Sequence, residues 1–593
     1  MRLYDYSQVE LTGGFWKSKE ELNRTTTIQA VYDRFFETGR VGAFQFDWKE
    51  DMPNKPHVFW DSDIAKWMEG AAYILKKHPD PDLEKKVDDL VDLIAKHQDA
   101  NGYFNIYYTV CEPENRFTNR DKHELYCAGH LMEAAVAYAE ATGKTLFYDC
   151  MEKYADHIRK VFVEEKSAGF RTPGHQEIEL ALVRMYRYSG KKKFLDLAAY
   201  FINTRGAVEE DRKGEYNQSH KPVREQTEAI GHAVRALYMY TGMAYVAKET
   251  GDEALQKACR ILYEDVTRRK MYVTGGFGST YLGEAFTTPY DLPNDLAYAE
   301  TCAGIAMMFF GNAMLALDND ADYADTMETV FYNGLLSGLS LDGTAFFYEN
   351  PLEINLAERF QVNYQTRRLP ITQRKVCFSC SCCPPNINRF LASLGNYIYG
   401  QEGDILYVNQ FASSTLNADG VQAEITTDYP RTGKVVITAQ GVKTLAVRIP
   451  AWCKAFTISK PYTLEKGYAL IENDGPVTLE FDLTPTPVYA TAQVKWNAGK
   501  VCIRRGPIVY CAEAVDNEGP LSAYQIAPDF AWELKEDFGG LPTLAVSCRK
   551  VKPFETLYAD HPAETEAAQL TMIPYQTFAN RGESEMQVWF TAQ

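Results

Sequence analysis

The chain has 593 residues, of which 46% are hydrophobic and 24% charged, and it carries a formal net charge of −18. That length predicts several domains, and the composition is typical of an ordinary globular protein. The negative charge disfavours nucleic acid and anionic membrane as partners, because both bind through basic patches.

The amino-terminal segment shows no basic stretch followed by an apolar run, so no signal peptide is visible. No uninterrupted apolar window is long enough for a membrane span. We therefore expect a cytoplasmic protein. Its 13 cysteines should stay reduced there, which favours metal binding or catalysis over disulfides.

From about residue 62 to 340 the apolar residues recur with a helical period. Helix–turn–helix units repeat, and several first helices end at a glycine: Gly143, Gly190 and Gly251. Helical hairpins of this kind bury their apolar faces by stacking. The irregular glycine spacing, 47 and then 61 residues, argues against a regular solenoid and favours a closed toroid with long loops gathered at one end.

After Tyr399 the pattern changes to short β-rich runs separated by turn residues, such as ILYVNQF, KVVITAQ and VTLEFDL. This spacing predicts antiparallel sandwiches. The expected class is multidomain α + β. We predict a helical domain over 8–400, a β-sandwich over 401–500 that the amino-terminal strand 1–7 could join, and a second β-rich domain over 501–593.

The segment CFSCSCCPPN places four cysteines within seven positions: Cys377, Cys380, Cys382 and Cys383. Adjacent cysteines rarely form a disulfide with each other, because its geometry is strained. Upstream, Glu300 and Cys302 begin a helix-patterned run. Zinc accepts thiolates and carboxylates in a tetrahedral shell, so these two residues and the adjacent cysteine pair could complete one site. Spacing alone leaves open that Cys302 is a core residue and Glu300 a solvated carboxylate.

The stretches MYVTGGFGSTYLGEAFTTPYDLPNDLAYAETCA and CSCCPPNINR resemble glycoside hydrolase family 127, the β-L-arabinofuranosidases. The similarity continues through FWDSDIAKWMEGAAYIL, GHQEIELAL, RGPIVYCAE and IPYQTFANRGESEMQVW, and so covers essentially the whole chain. The resemblance implies an (α/α)6 barrel followed by β-sandwich domains. It also implies Zn2+ bound by one glutamate and three cysteines, which are Glu300, Cys302, Cys382 and Cys383.

The same resemblance assigns the chemistry. The first cysteine of the adjacent pair, Cys382, would be the nucleophile, and the glutamate of GEAF, Glu284, would be the acid/base. Cys377 and Cys380 would be packing thiols near the site. The sugar-binding residues implied are His123, His175, His232, Tyr348 and Phe59. His130 is a rival to His123, and a barrel-core role for Phe59 is equally open.

The sequence thus favours a retaining exo-glycosidase that releases L-arabinose from non-reducing β-L-arabinofuranosides. A carbohydrate is the expected partner, and a homodimer is allowed. Three alternatives remain. The enzyme could act on another furanose or a rare plant-wall sugar, or the chain could bind sugar around a structural zinc without catalysis. A zinc hydrolase that activates water would need an open coordination position, which four protein ligands do not leave.

Overall fold

The computed structural model describes residues 1–212, 214–357 and 368–593. Its α-helices are α1 (Gly14–Leu22), α2 (Ile28–Glu37), α3 (Trp60–Lys77), α4 (Pro81–His97), α5 (Ile106–Val110), α6 (Glu124–Thr142), α7 (Leu146–Arg159), α8 (Ile178–Ser189), α9 (Lys192–Thr204), α10 (Ala233–Thr250), α11 (Glu253–Arg269), α12 (Thr301–Leu317), α13 (Ala321–Thr329) and α14 (Cys383–Leu391). Among the described residues, none of these helices combines the length and apolarity that crossing a membrane requires.

Twelve of the helices form a closed double ring. The inner helices are α3, α6, α8, α10, α12 and α14, each packed against the next, and α14 closes the ring on α3. The outer helices α4, α7, α9, α11 and α13 each pack on the inner helix that precedes them, and α2 packs on α14. The predicted (α/α)6 barrel is therefore confirmed.

Close approach of the inner helices depends on glycine at two positions. A β-carbon at Gly70 of α3 would lie 3.0 Å from the backbone nitrogen of Arg389 in α14. A β-carbon at Gly129 of α6 would lie 2.8 Å from the backbone nitrogen of Ile178, where α8 begins. The first distance would be unusually tight for a real β-carbon and the second is essentially never seen, so these glycines let the ring close and bring the start of α8 against α6.

The strands are β1 (Arg2–Leu3), β2 (Val9–Leu11), β3 (Gly231–His232), β4 (Ala285–Phe286), β5 (Glu353–Ile354), β6 (Tyr399–Glu402), β7 (Ile405–Val408), β8 (Ser414–Ala418), β9 (Val421–Thr427), β10 (Lys434–Gln440), β11 (Thr444–Arg448), β12 (Phe456–Ile458), β13 (Thr463–Glu465), β14 (Tyr468–Glu472), β15 (Val477–Phe481), β16 (Thr486–Val488), β17 (Lys500–Arg505), β18 (Ile508–Glu513), β19 (Tyr524–Ile526), β20 (Trp532–Phe538), β21 (Leu541–Val551), β22 (Thr565–Pro574), β23 (Met586–Gln587) and β24 (Phe590–Ala592).

Two six-stranded sheets follow the barrel, in the orders β1-β6-β7-β11-β14-β13 and β12-β15-β10-β9-β8-β2. Both include a strand from the amino terminus. In β9 the alternate residues Val421, Ala423 and Ile425 are buried, as expected for a strand with one face in a core. The helical-then-β order is as predicted, while the exact domain boundaries stay predictions.

A ten-stranded sheet completes the molecule, in the order β16-β17-β24-β19-β21-β22-β18-β23-β5, with β20 paired to β21. Strand β5 belongs to the loop between α13 and α14, and it pairs with β23 near the carboxyl terminus. The last β unit is therefore hydrogen-bonded to the barrel rather than tethered to it by a linker.

Candidate active site

The amino-terminal ends of the inner helices surround a cavity of about 240 Å³. The predicted site residues that line it are Phe59, His123, His175, His232, Glu284, Glu300, Cys302, Tyr348 and Cys382. Cys383 lies behind the cavity, completely buried. Residues that are up to 323 positions apart in the sequence thus meet in one small space, as the toroid prediction requires.

Helix starts provide the local geometry of this site. Glu300 is the N-cap residue of α12, and Cys382 is the N-cap residue of α14, whose first residue is Cys383. Pro384 and Pro385 fall in the first turn of α14, where a fixed φ and a missing N–H cost nothing. The partial positive charge of a helix amino terminus stabilises carboxylates and thiolates, so both helices favour anions here.

The four predicted metal ligands form a compact cluster. The sulfur of Cys302 lies 3.3 Å from that of Cys383 and 3.6 Å from that of Cys382. The Cys382 sulfur lies 3.8 Å from both the Cys383 sulfur and Glu300 Oε1. Zinc–sulfur bonds of roughly 2.3 Å at tetrahedral angles would separate sulfurs by about 3.8 Å. The cluster therefore has nearly the dimensions of a tetrahedral zinc shell.

The electrostatics of the cluster also favour a cation. Burial, together with the charges of Glu284 and Cys382, raises the pKa of Glu300 well above its usual range. Burial likewise raises the pKa values of Cys302 and Cys383. Glu300 Oε2 is buried without a hydrogen-bond partner among the described residues. Glu300, Cys302 and Cys383 would all ionise beside a Cys382 thiolate only if a cation balanced their charges. This donor set therefore fits a thiophilic divalent metal.

Cys382 differs from the other three groups. Hydrogen bonds from the thiols of Cys302, Cys380 and Cys383 lower the pKa of Cys382 well below the usual range of a thiol. The buried ammonium group of Lys66 lies 3.4 Å from the Cys382 carbonyl oxygen and adds a favourable charge. Of the three sulfurs in the cluster, that of Cys382 is thus the one most readily ionised.

Glu284 occupies a strained turn, with a φ of 52°, in the left-handed region that non-glycine residues avoid. His232 Nε2 lies 3.0 Å from Glu284 Oε2. His232 Nδ1 accepts the backbone N–H of Val234 at the start of α10. The imidazole proton must therefore be on Nε2, which donates it to Glu284.

The pKa of Glu284 results from opposing effects. Burial alone would raise this pKa, but the hydrogen bond from His232 and the nearby Arg235 guanidinium lower it below the ordinary value. The Tyr348 hydroxyl lies 3.4 Å from Glu284 Oε2 and 3.5 Å from the Cys382 sulfur. One hydroxyl thus touches both groups to which the sequence assigned the chemistry.

Family models match three consecutive parts of the chain. The catalytic domain of the β-L-arabinofuranosidases of family GH127 matches residues 8–396, its middle domain matches 405–473 and its carboxyl-terminal domain matches 485–591. The chain belongs to glycoside hydrolase family 127. It is therefore a glycoside hydrolase, and its substrate is a carbohydrate.

Relatives agree over nearly the full length. A non-reducing end β-L-arabinofuranosidase of Bifidobacterium longum is 37% identical over 587 residues, covering 90% of this chain and 89% of that protein. The crystal structure of a GH127 β-L-arabinofuranosidase from Geobacillus stearothermophilus T6 has a TM-score of 0.93 and 40% identity, covering 99% of this chain and 100% of that one. A solved GH127 β-arabinofuranosidase has a TM-score of 0.91 and 34% identity, covering 100% and 98%.

Two histidines that the sequence left as rivals occupy different places in this GH127 chain. His123 lines the cavity, whereas His130 lies deeper in α6, fully buried, with Nδ1 3.0 Å from Glu177 Oε1. Cys380 lines the cavity 3.9 Å from the Tyr348 hydroxyl. Cys377 instead lies 3.4 Å from the Ser381 hydroxyl.

Sequence reasoning missed several residues of this family 127 site, and three of them bear on its charge and shape. Lys66, Tyr216 and Arg235 contribute to the cavity or its wall. Lys66 did leave a trace in the sequence, because a lysine within the apolar run of α3 must be buried with a polar partner. Tyr216 and Arg235 left no such trace in the sequence. Their contact joins an irregular loop to the start of α10, and no periodic pattern indicates a contact of that kind.

Proposed function

We propose that this protein is a retaining exo-acting β-L-arabinofuranosidase that releases L-arabinose from non-reducing ends. The observation that carries the proposal is the meeting of Cys382 and Glu284 in one cavity. Family membership supports the glycosidic reaction, and the names of the relatives supply the sugar. The cavity supports exo action, because about 240 Å³ is below the roughly 300–1,000 Å³ of sites for drug-sized ligands and so suits a single sugar residue.

Glu300, Cys302, Cys382 and Cys383 would hold Zn2+, which when bound keeps cysteine sulfurs as thiolates at neutral pH. In the first step the Cys382 sulfur attacks the anomeric carbon and forms a carbon–sulfur bond. The bond from that carbon to the leaving oxygen breaks, and Glu284, which must enter this step protonated, donates its proton to the oxygen. The product is a thioglycosyl group on Cys382 and the free leaving group.

In the second step Glu284 takes a proton from water while the water oxygen attacks the anomeric carbon. The carbon–sulfur bond breaks and the Cys382 thiolate is restored. Two successive inversions retain the configuration. The Tyr348 hydroxyl contacts both Glu284 Oε2 and the Cys382 sulfur, and a near-tetrahedral angle at this hydroxyl oxygen would put the two groups about 5–6 Å apart. Carboxylate pairs in retaining glycosidases are separated by a similar distance, roughly 5–5.5 Å.

Neighbouring residues orient these two groups. His232 and Tyr348 both contact Glu284 Oε2, which leaves Oε1 to face the glycosidic oxygen. Burial and the nearby Arg235 charge lower the pKa of His123 to about 3, so this imidazole is neutral at physiological pH. We propose that His123 and His175, with Phe59 as an apolar wall, bind the sugar hydroxyls and ring.

The test is hydrolysis of a panel of aryl glycosides by zinc-loaded enzyme, with NMR of the first-formed anomer. The panel holds both anomers of L-arabinofuranose, galactofuranose and the pyranose form of arabinose. We expect the β-L-arabinofuranoside to be cleaved fastest, with β-arabinofuranose appearing first. Faster hydrolysis of a galactofuranoside or of an arabinopyranoside would contradict the sugar assignment. An α anomer formed first would contradict the double displacement, and binding without hydrolysis would favour the non-catalytic alternative.

A further inference from the structure

Exposed aromatic and apolar side chains adjoin Glu284 along the chain and at the cavity wall. Tyr281 is 37% exposed and Leu282 is 65% exposed, and both belong to the turn that ends at Glu284. Tyr216, 43% exposed, lines the cavity from a different loop. Exposed apolar side chains next to a site are typical of a binding surface.

The ring of Tyr216 is held in place from two sides. The guanidinium carbon of Arg235 lies 4.3 Å from the ring centroid, and Arg235 Nη1 in turn donates to the Gly174 carbonyl oxygen at 2.9 Å. A β-carbon at Gly283 would lie 3.4 Å from Cδ2 and Cε2 of Tyr216. The ring is therefore packed directly against the turn that presents Glu284.

A polar groove of about 650 Å³ adjoins the cavity at Tyr216. Tyr216 is a wall of both spaces, and the groove continues past Asn119, Arg120 and Asp121. The Asp121 side chain is 65% exposed, and its carboxylate lies 3.8 Å from Arg235. Arg120 is engaged with the Thr172 carbonyl oxygen and with Asp211, so Asp121 is the more available of these two charged groups.

We propose that Tyr216, the Tyr281–Leu282 turn and Asp121 form the binding site of the leaving group, and that this group is a second glycosyl unit. The inference rests on the proposed function, because it takes Glu284 as the proton donor. The leaving group must lie next to the residue that protonates its oxygen, which is Glu284 in this proposal. Tyr216 packs against the turn that carries Glu284. A sugar presents an apolar ring face to an aromatic side chain and hydroxyls to a carboxylate, which is the chemistry found along this path.

The test compares two substrates with the same arabinofuranosyl group. One is a disaccharide whose leaving group is a sugar, and the other is the methyl glycoside, which leaves the proposed site empty. For Tyr216→Ala we expect the ratio of kcat/KM on the disaccharide to that on the methyl glycoside to fall at least tenfold. Tyr216→Phe keeps the ring and should lower this ratio less than threefold. Tyr489→Ala, at a tyrosine that is 50% exposed and far along the chain in the β region, is the matched control.

Asp121→Asn should lower the same ratio by a smaller factor, mainly through KM for the disaccharide, because it weakens hydrogen bonds without removing the ring. An unchanged ratio in Tyr216→Ala, including an equal loss on both substrates, would overturn the inference and leave the proposed function intact. A wild-type enzyme that hydrolyses neither substrate would overturn the proposed function and the inference with it.

Discussion

Cys382 and Cys383 are neighbours in the sequence, yet their sulfurs face different surroundings. Cys383 is completely buried, and its sulfur contacts those of Cys302 and Cys382. Cys382 is partly exposed and also lines the cavity. Successive side chains leave a helix start in different directions, which lets one sulfur hold the metal while the next can also reach a sugar.

We expect Glu284→Gln to affect substrates unequally. The amide cannot donate the proton that a sugar leaving group needs, so hydrolysis of a disaccharide should fall about 10²–10⁴-fold. An aryl arabinofuranoside with an acidic phenol needs little protonation and should lose much less in its first step, visible as a burst of phenol. Equal losses in the first step, with unchanged circular dichroism, would contradict the acid role.

The site residues named from motifs all reach the cavity or its metal cluster, because each motif falls at a helix start or in a loop at the same end of the barrel. Tyr216 could not be found in this way. It lies in an irregular loop, and its neighbour Gly283 is 67 residues further along the chain. No periodic pattern reports a contact between two loops, which depends on how the ring of helices closes.

At the scale of elements, the barrel places two helix amino termini against one another. Helix α12 brings Glu300 and Cys302, and α14 brings the adjacent cysteine pair. Each terminus favours negative charge, and together they gather four acidic groups in a buried space. This arrangement is unfavourable without a cation, which is the physical reason to expect a metal here.

We therefore predict one equivalent of zinc per chain. Cys383→Ser should lose most of it, because a hydroxyl is a poor zinc ligand compared with a thiolate. Elemental analysis after dialysis against a weak chelator is the measurement, and Cys377→Ser is the matched control, which should keep the metal. Full zinc occupancy in Cys383→Ser would show that the ligand assignment is wrong.

Helical hairpins were predictable from apolar periodicity, and their irregular spacing favoured a closed toroid, but the contacts that close the ring were not visible in the residues. The side-chain nitrogen Nδ2 of Asn23 donates to the backbone carbonyl oxygen of Asn388 at 3.0 Å. The side-chain Nδ2 of Asn388 donates back to Asn23 Oδ1 at 2.8 Å. These residues precede α2 and belong to α14. Their pairing joins residues 365 positions apart in the sequence, so a local pattern cannot report it.

At the scale of the whole molecule, a buried ionic network connects α14 to the inner helices α3 and α6. Arg389 Nη1 lies 2.9 Å from Glu69 in α3 and 2.6 Å from Glu133 in α6. The three side chains are almost completely buried. Because α14 begins with the cysteine pair, this network also helps to hold the start of that helix in place.

Removing the Arg389 charge should destabilise the barrel. Arg389→Leu leaves the buried Glu69 and Glu133 with Arg184 as their remaining counter-ion, and breaking a buried ion pair typically costs about 3–5 kcal/mol. Arg431→Leu removes an exposed ion pair with Asp537 and should cost no more than about 1 kcal/mol. Chemical denaturation, followed by circular dichroism, measures both. Equal midpoints for the two variants would contradict a stabilising role of the network.

The β units are hydrogen-bonded to the barrel through its amino-terminal strands and through β5. Strand spacing predicted antiparallel sheets, and most pairings are antiparallel, but β7 pairs with β11 and β19 pairs with β24 in parallel. It did not predict the insertion of β5, a two-residue strand too short to leave an alternating pattern. A homodimer and a cytoplasmic location stay predictions.

The central claim is that the Cys382 sulfur attacks the sugar. The most direct measurement is peptide mapping by mass spectrometry after the wild-type enzyme has reacted with an electrophilic arabinofuranose mimic, such as an epoxide or a haloacetamide. We expect a single label on Cys382, formed more slowly when L-arabinose is present, and none in a folded Cys382→Ser variant. A label on Cys377, on Cys380 or on a carboxylate, with Cys382 unmodified, would contradict the thiolate mechanism.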